Sequence, residues 1–126
     1  MAIAAAPVPA LERAKQCEVQ AARVAASSVS RVSAMERSQD RPLRWVGHYS
    51  HKYDQCYVLI DRHVFLPGSA PVVSELWEAF EAAILAEYTD DARTTIRRSF
   101  CQVALSDDPF TSCEVSKYFI DEHMKH

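Results

Sequence analysis

The stretch GHYSHKYDQCYVLIDRHVF, Gly47 to Phe65, places three histidines, three tyrosines and one cysteine within nineteen residues. That density suits a reactive centre, a metal site or the middle of a cross-linked sheet. Alternation favours the sheet. Within CYVLIDRHVF, β-branched and aromatic residues dominate, the composition of a strand. Cys56, Val58 and Ile60 fall on one face, and Tyr57, Leu59 and Asp61 on the other, because strand side chains alternate. The pattern predicts one strand over Gln55–Phe65, a shorter one over Leu43–Ser50, and a turn at HKYD between them.

Upstream, Pro9 to about Ser38 reads as one long helix. Pro9 suits a first turn and Glu12 follows it. Cys17, Ala21, Val24, Ser28, Val32 and Met35 recur at helical intervals. Their face is small, so a sheet can approach closely. SQDRP ends the helix, since the residue before proline avoids the helical region. If Cys56 bonds Cys17, the face of Cys56, Val58 and Ile60 looks toward this helix.

Downstream, LPGSAP breaks the chain. Val73–Phe80 is expected to be helical, with Ser74 as N-cap and Leu76, Trp77 and Phe80 on a buried face. The segment Ala82–Tyr88 is open between helix and strand, because alanine, leucine and glutamate favour a helix while alternation also fits. TIRRSFCQVAL is expected to be a strand, SDDPFTS a loop, and Cys113 the start of a last helix with Val115, Tyr118, Phe119 and Met124 inward.

Composition narrows the function. The chain has 126 residues, 14 basic against 17 acidic, and reads as a single domain over 1–126. The net charge of −3 disfavours nucleic-acid binding, which runs on basic patches. Only Gly47 and Gly68 are glycines, so glycine-rich phosphate loops are absent. No apolar run reaches the roughly 18 residues of a membrane span. Residues 1–8, MAIAAAPV, are small and apolar and read as a flexible remnant of an export signal region.

Four cysteines, Cys17, Cys56, Cys101 and Cys113, fit two disulfides in a periplasmic or secreted protein. No CxxC spacing points to zinc or to a redox motif. Of three possible pairings, Cys17–Cys56 with Cys101–Cys113 is preferred, because each joins neighbouring elements.

These elements in this order resemble a loosely defined group of small exported, four-cysteine proteins of Gram-negative bacteria, mostly uncharacterised. The residues that carry the resemblance are Cys17; His48, Tyr49, Ser50, Lys52 and Cys56–Leu59; Glu78, Ala79, Phe80, Glu81, Ala86 and Tyr88; and Cys101 with Cys113. The resemblance implies that the segment after Phe80 turns into a strand. It implies no activity. Its pattern has a glycine where this chain has Ala82, so the turn is expected to be delayed.

Chemistry is weighed against packing. His48 and His51 differ by an odd number and point to opposite strand faces, and His123 and His126 lie near the end of the last helix, so no convergent metal set is expected and no cofactor is implied. Cys56 beside His48 or His51 could mimic a thiolate–imidazole pair, but an even cysteine count favours a bonded Cys56. Glu75, Glu78 and Glu81 follow the spacing of a solvated helix face. Trp45, His48, Tyr49, His51, Tyr53 and Tyr57 remain as a possible binding surface, since tyrosine and tryptophan concentrate at binding hot spots.

The sequence therefore predicts an α+β domain: an antiparallel sheet of about four strands, a long N-terminal helix, a short middle helix between the second and third strands, and a C-terminal helix, held by two disulfides. The expected function is non-enzymatic binding of a protein or cell-envelope component. The alternatives are a small hydrolase or other enzyme using the His/Tyr-rich strand region, or an inhibitor or immunity-type protein.

Overall fold

A computed structural model describes residues 10–27, 43–64, 68–104 and 112–126. The expected export remnant, the expected continuation of the first helix beyond Ser27, Leu66 and Pro67 of LPGSAP, and SDDPFTS up to its last residue lie outside these residues. The architecture is α+β. Helix α1 (Ala10–Ser27) precedes β1 (Arg44–Ser50), β2 (Gln55–His63), β3 (Val72–Glu78) and β4 (Ala83–Thr89). Helix α2 (Thr94–Phe100), the two-residue β5 (Gln102–Val103) and α3 (Cys113–Lys125) complete it. The five strands form one antiparallel sheet in sequence order. Such a meander needs only short connections.

The alternation in β2 sets the two cores. Cys56, Val58 and Ile60 pack with Cys17, Ala21, Val24 and Ala25 of α1, joined by Trp77 and Ala79. On the opposite face Tyr57 and Leu59 pack with Leu76, Ala86 and Ile120, the last from α3. Helix α2 closes a third cluster, where Ile96 and Phe100 meet Val64 and Val73.

The close approach of α1 depends on one residue. A Cβ placed on Gly47 would lie 2.7 Å from the Cβ of Ala21, far inside van der Waals contact. Glycine in β1 and alanine in α1 thus let the helix lie directly on the strand. The Cys17–Cys56 disulfide fastens the same contact. Cys101–Cys113 ties the end of α2 to the start of α3. In the loop-entropy picture the two bridges stabilise the fold by roughly 4 and 3 kcal/mol.

Several expectations are corrected. Val73–Phe80 is not a helix; it forms β3 as far as Glu78. This strand is buried on both faces, Val73, Glu75 and Trp77 on one and Leu76 and Glu78 on the other, so no clean period of two is visible in its sequence. Ser74 caps no helix; its hydroxyl donates to Asp61 across the β2–β3 pair. Conversely, TIRRSFCQVAL is not a strand. Ile96 and Phe100 sit four apart and are both buried, a helical spacing, and only Gln102–Val103 pair with β4. The middle helix therefore lies between β4 and β5, and the sheet has five strands. In α3 the buried residues are Cys113, Ser116 and Ile120, and Phe119 and Met124 pack half-buried against the same core, as expected. Val115 and Tyr118 point outward, Tyr118 being 70 % exposed.

The segment after Phe80 is a strand, as the resemblance implied. The turn is not delayed. Ala79–Ala82 close the β3–β4 hairpin directly, and Ala82 itself takes the left-handed conformation at φ 51°. An L-residue there costs about 1–2 kcal/mol.

A buried ion pair spans β2 and β3 on the α1 side. Arg62 Nε donates to Glu75 Oε1 at 2.9 Å, and Trp77 Nε1 donates to the same oxygen at 3.1 Å. Both charged side chains are almost wholly buried, at 3 % and 0 % exposure.

Two outcomes are expected from denaturant unfolding. Gly47→Ala should cost about 1–3 kcal/mol through overpacking, and adding Ala21→Gly should recover part of it; an unchanged midpoint for Gly47→Ala would contradict the close contact. Ala82→Gly should instead stabilise by roughly 0.5–1 kcal/mol, the relieved strain less the added chain entropy.

Candidate functional site

Both hairpin turns, His51–Asp54 and Ala79–Ala82, lie at one end of the sheet, since Tyr57 near the first stands opposite Glu78 near the second. Two helices reach the same end. From α1, Arg13 Nη1 meets Asp54 Oδ1 at 2.6 Å, and Gln20 Nε2 donates to the Ala79 carbonyl at 3.1 Å. From α3, Glu122 Oε1 receives Lys52 Nζ at 2.8 Å. This end brings Tyr49, Tyr53, Asp54 and Glu78 of the hairpins together with Arg13, Gln20 and Glu122 of the helices.

The first turn is held on both sides. The Tyr49 hydroxyl donates to Asp54, whose backbone is left-handed at φ 49°, a conformation that aspartate tolerates. The hydrogen bond from Tyr49, then the charge of Arg13, hold the Asp54 carboxyl below its usual range against the opposing effect of burial. The same hydrogen bond to Asp54 raises the Tyr49 phenol. On the α3 side, Tyr53 stacks on His123 at 4.6 Å between ring centroids, and His123 stacks in turn on Phe119 at 4.0 Å. His123 Nδ1 lies 2.7 Å from the Phe119 carbonyl.

Two open hollows flank β1 and the turns. One, of about 310 Å³, lies between α1 and the two turns and is lined by Arg13, Tyr49, Asp54, Glu78, Phe80 and Glu81. Glu78 is spent within it, accepting the backbone N–H groups of Phe80 and Glu81 at 3.2 and 2.6 Å. The other, of about 360 Å³, follows the free side of β1 and is lined by Ala14, Cys17, Glu18, Trp45, Tyr49 and His51, with Gly47 and His48 beside them.

Of the expected surface residues, Trp45 (40 % exposed), His51 and Tyr53 are exposed, and His48 and Tyr49 are half-buried. Tyr57 is a correction. It is 2 % exposed, because its face of β2 is the one that α3 covers, and it belongs to the core. His48 and His51 share the second hollow, whereas His63 sits at the far end of β2, its Nδ1 3.0 Å from the Ala70 carbonyl. Among the described residues no three His, Cys, Asp or Glu side chains converge on a metal position. All four cysteines are bonded, so Cys56 offers no thiolate. The sequence reading missed Arg13, Asp54 and Glu122 and, having weighed His123 only as a metal ligand, its stacking role too. Only Glu122 and His123 carried a signal, the three- and four-residue spacing of Phe119, Glu122, His123 and His126.

No protein-family model, no curated protein and no solved structure matches this chain. No helix among the described residues is long and apolar enough to cross a membrane.

The titrating groups give a pH signature. Burial, then the charge of His51, lowers the His48 pKa below its ordinary 6.5, with a backbone contact to His126 acting the other way. The unfolded chain therefore binds more protons at this site, so the associated stability is present above about pH 6.5 and is lost as pH falls below it. Asp54 and Glu122 are lowered as well, by Tyr49 and Lys52 first, and their contributions are lost only below their ordinary values of 3.8 and 4.5. Thermal melts should show a decline starting near pH 6.5 that His48→Gln abolishes while leaving the steeper acid limb in place. A His48→Gln protein with an unaltered profile would contradict this assignment.

Proposed function

We propose that the protein is a non-enzymatic binding module of an oxidising compartment, periplasmic or secreted, that docks a protein or envelope component through Trp45, Tyr49, His51 and Tyr53. The observation that carries this reading is the exposure of aromatic side chains on an edge strand and its turn, beside hollows that are open to solvent. Exposed apolar groups of this kind mark interaction sites, and aromatic residues serve as anchors there. The polar groups of the turn end support it too. Asp54, Glu78 and Glu122 are engaged in holding turns and helices, which leaves a rigid surface. Two disulfides fit the proposed compartment. An inhibitor or immunity-type protein would be a special case of the same surface.

Site-specific photo-crosslinking tests the reading. A photoreactive side chain at position 51 or 53 of the oxidised protein should capture a discrete partner from an envelope extract, and the same group at the exposed position 118 on α3 should not. Equal yields from all three positions, or no product from any, would refute the surface.

A further inference from the structure

The free side of β1 carries a second kind of complementarity. Ala79 N–H donates to the Cys56 carbonyl and Val64 N–H to the Pro71 carbonyl, so the even-numbered residues of β2 bond toward β3. In an antiparallel sheet the backbone groups alternate sides. The odd-numbered residues of β2 therefore bond toward β1, onto Arg44, Val46, His48 and Ser50 in the observed register. It follows that the N–H and C=O groups of Trp45, Gly47 and Tyr49 point away from the sheet, and β1 has no strand on that side among the described residues.

Natural edges are blunted by lysine, proline, bulges or a covering element. β1, RWVGHYS, has neither lysine nor proline, and its pairing with β2 runs without a bulge. Its one permanent charge, Arg44, sits at the start of the strand, solvent-exposed but paired with Asp61, and leaves Trp45–Tyr49 without a fixed charge. Val46 is 55 % exposed. The hollow of about 360 Å³ runs along this edge, between it and α1. An edge strand facing a helix across a groove is the geometry in which an extended peptide adds as a further strand, its backbone bonding to the edge and alternate side chains entering the groove.

We propose that the β1 edge is the docking site for an extended segment of a partner protein, which adds as a sixth strand, seats an apolar side chain in the hollow over Gly47 and sets a basic side chain against Glu18. This rests on the binding-module reading and specifies its partner. The apolar part of the seat is formed by Ala14, the Cys17 side of the disulfide, and the Trp45 and Tyr49 rings, with His48 and His51 also lining it. The basic preference follows from Glu18, the single carboxylate among the lining residues. A second copy of this chain is a poor occupant. Two-fold pairing about Gly47 would align all three outward residues, Trp45 with Tyr49 and Gly47 with itself, but glycine opposite glycine sends no side chain into the hollow.

The test is selection of random linear peptides on the oxidised full-length protein, followed by amide exchange of the complex. Recovered peptides should alternate apolar positions with a basic residue on the same face, and should slow exchange at Trp45, Gly47 and Tyr49. Trp45→Pro removes an outward N–H without touching the β1–β2 bonds and should weaken binding by at least about ten-fold. Glu18→Lys, an exposed change that keeps the fold, should weaken binding similarly and favour peptides carrying glutamate in place of the basic residue. Four results would overturn the proposal: no peptide recovered; peptides that leave the edge amides and the Glu18→Lys affinity unaltered; edge amides already protected in the free protein, which would mean that the chain covers its own edge; or concentration-dependent protection without peptide, which would mean a second copy. The second result would leave the photo-crosslinked surface standing, so strand addition and the general binding reading fail separately.

Discussion

The contact of Ala21 with Gly47 is the constraint on which the structure depends. It sets α1 at the smallest spacing from the sheet that side chains permit, and that spacing lets the Cys17 and Cys56 sulfurs meet. A helix surface of alanine and valine buries little apolar area, and at about 25 cal/mol per Å² it contributes less than leucine would. The covalent link supplies what the small face does not. Because α1 is held, Arg13 reaches Asp54 and Gln20 reaches the β3–β4 turn. The turn end of the sheet, with Tyr49 and Tyr53, is tied to α1 for the same reason.

The sheet around Cys56 was legible because one of its strands, β2, has an α1 face of small apolar residues and another face of larger ones, the clearest period of two in the chain. Both disulfides were legible from order alone. What failed was the reading of β3 and α2, and for one reason. β3 lies in the middle of the sheet with both faces covered, so Leu76, Trp77 and Phe80 read as a helical face. In TIRRSF the buried residues are Ile96 and Phe100, and an i, i+4 pair in so short a segment is also compatible with alternation. Short apolar runs do not identify their own period.

Less of the candidate site was legible. Trp45, His51 and Tyr53 were found by residue type and proved exposed. Tyr57 was misplaced because composition cannot say which face of β2 a helix will cover. The pairs that order the turns, Arg13 with Asp54 and Lys52 with Glu122, join residues 41 and 70 positions apart. Nothing local announces such pairs. Ala82 shows the opposite case: its oddity was visible as a missing glycine, and the chain accepts a strained residue rather than move the turn.

The two bridges also divide the folding of the chain in time. Cys17 and Cys56 are separated by 39 positions, Cys101 and Cys113 by 12. The short bridge joins neighbouring segments and can close early. The long one requires α1 to lie against the sheet, since Cys17 is on the helix and Cys56 on β2. A reduced chain is therefore expected to keep its sheet while the first helix is held by a small apolar face alone, with closure of the long bridge coming last. On that order, full assembly is expected to wait on an oxidant and not on completion of synthesis alone.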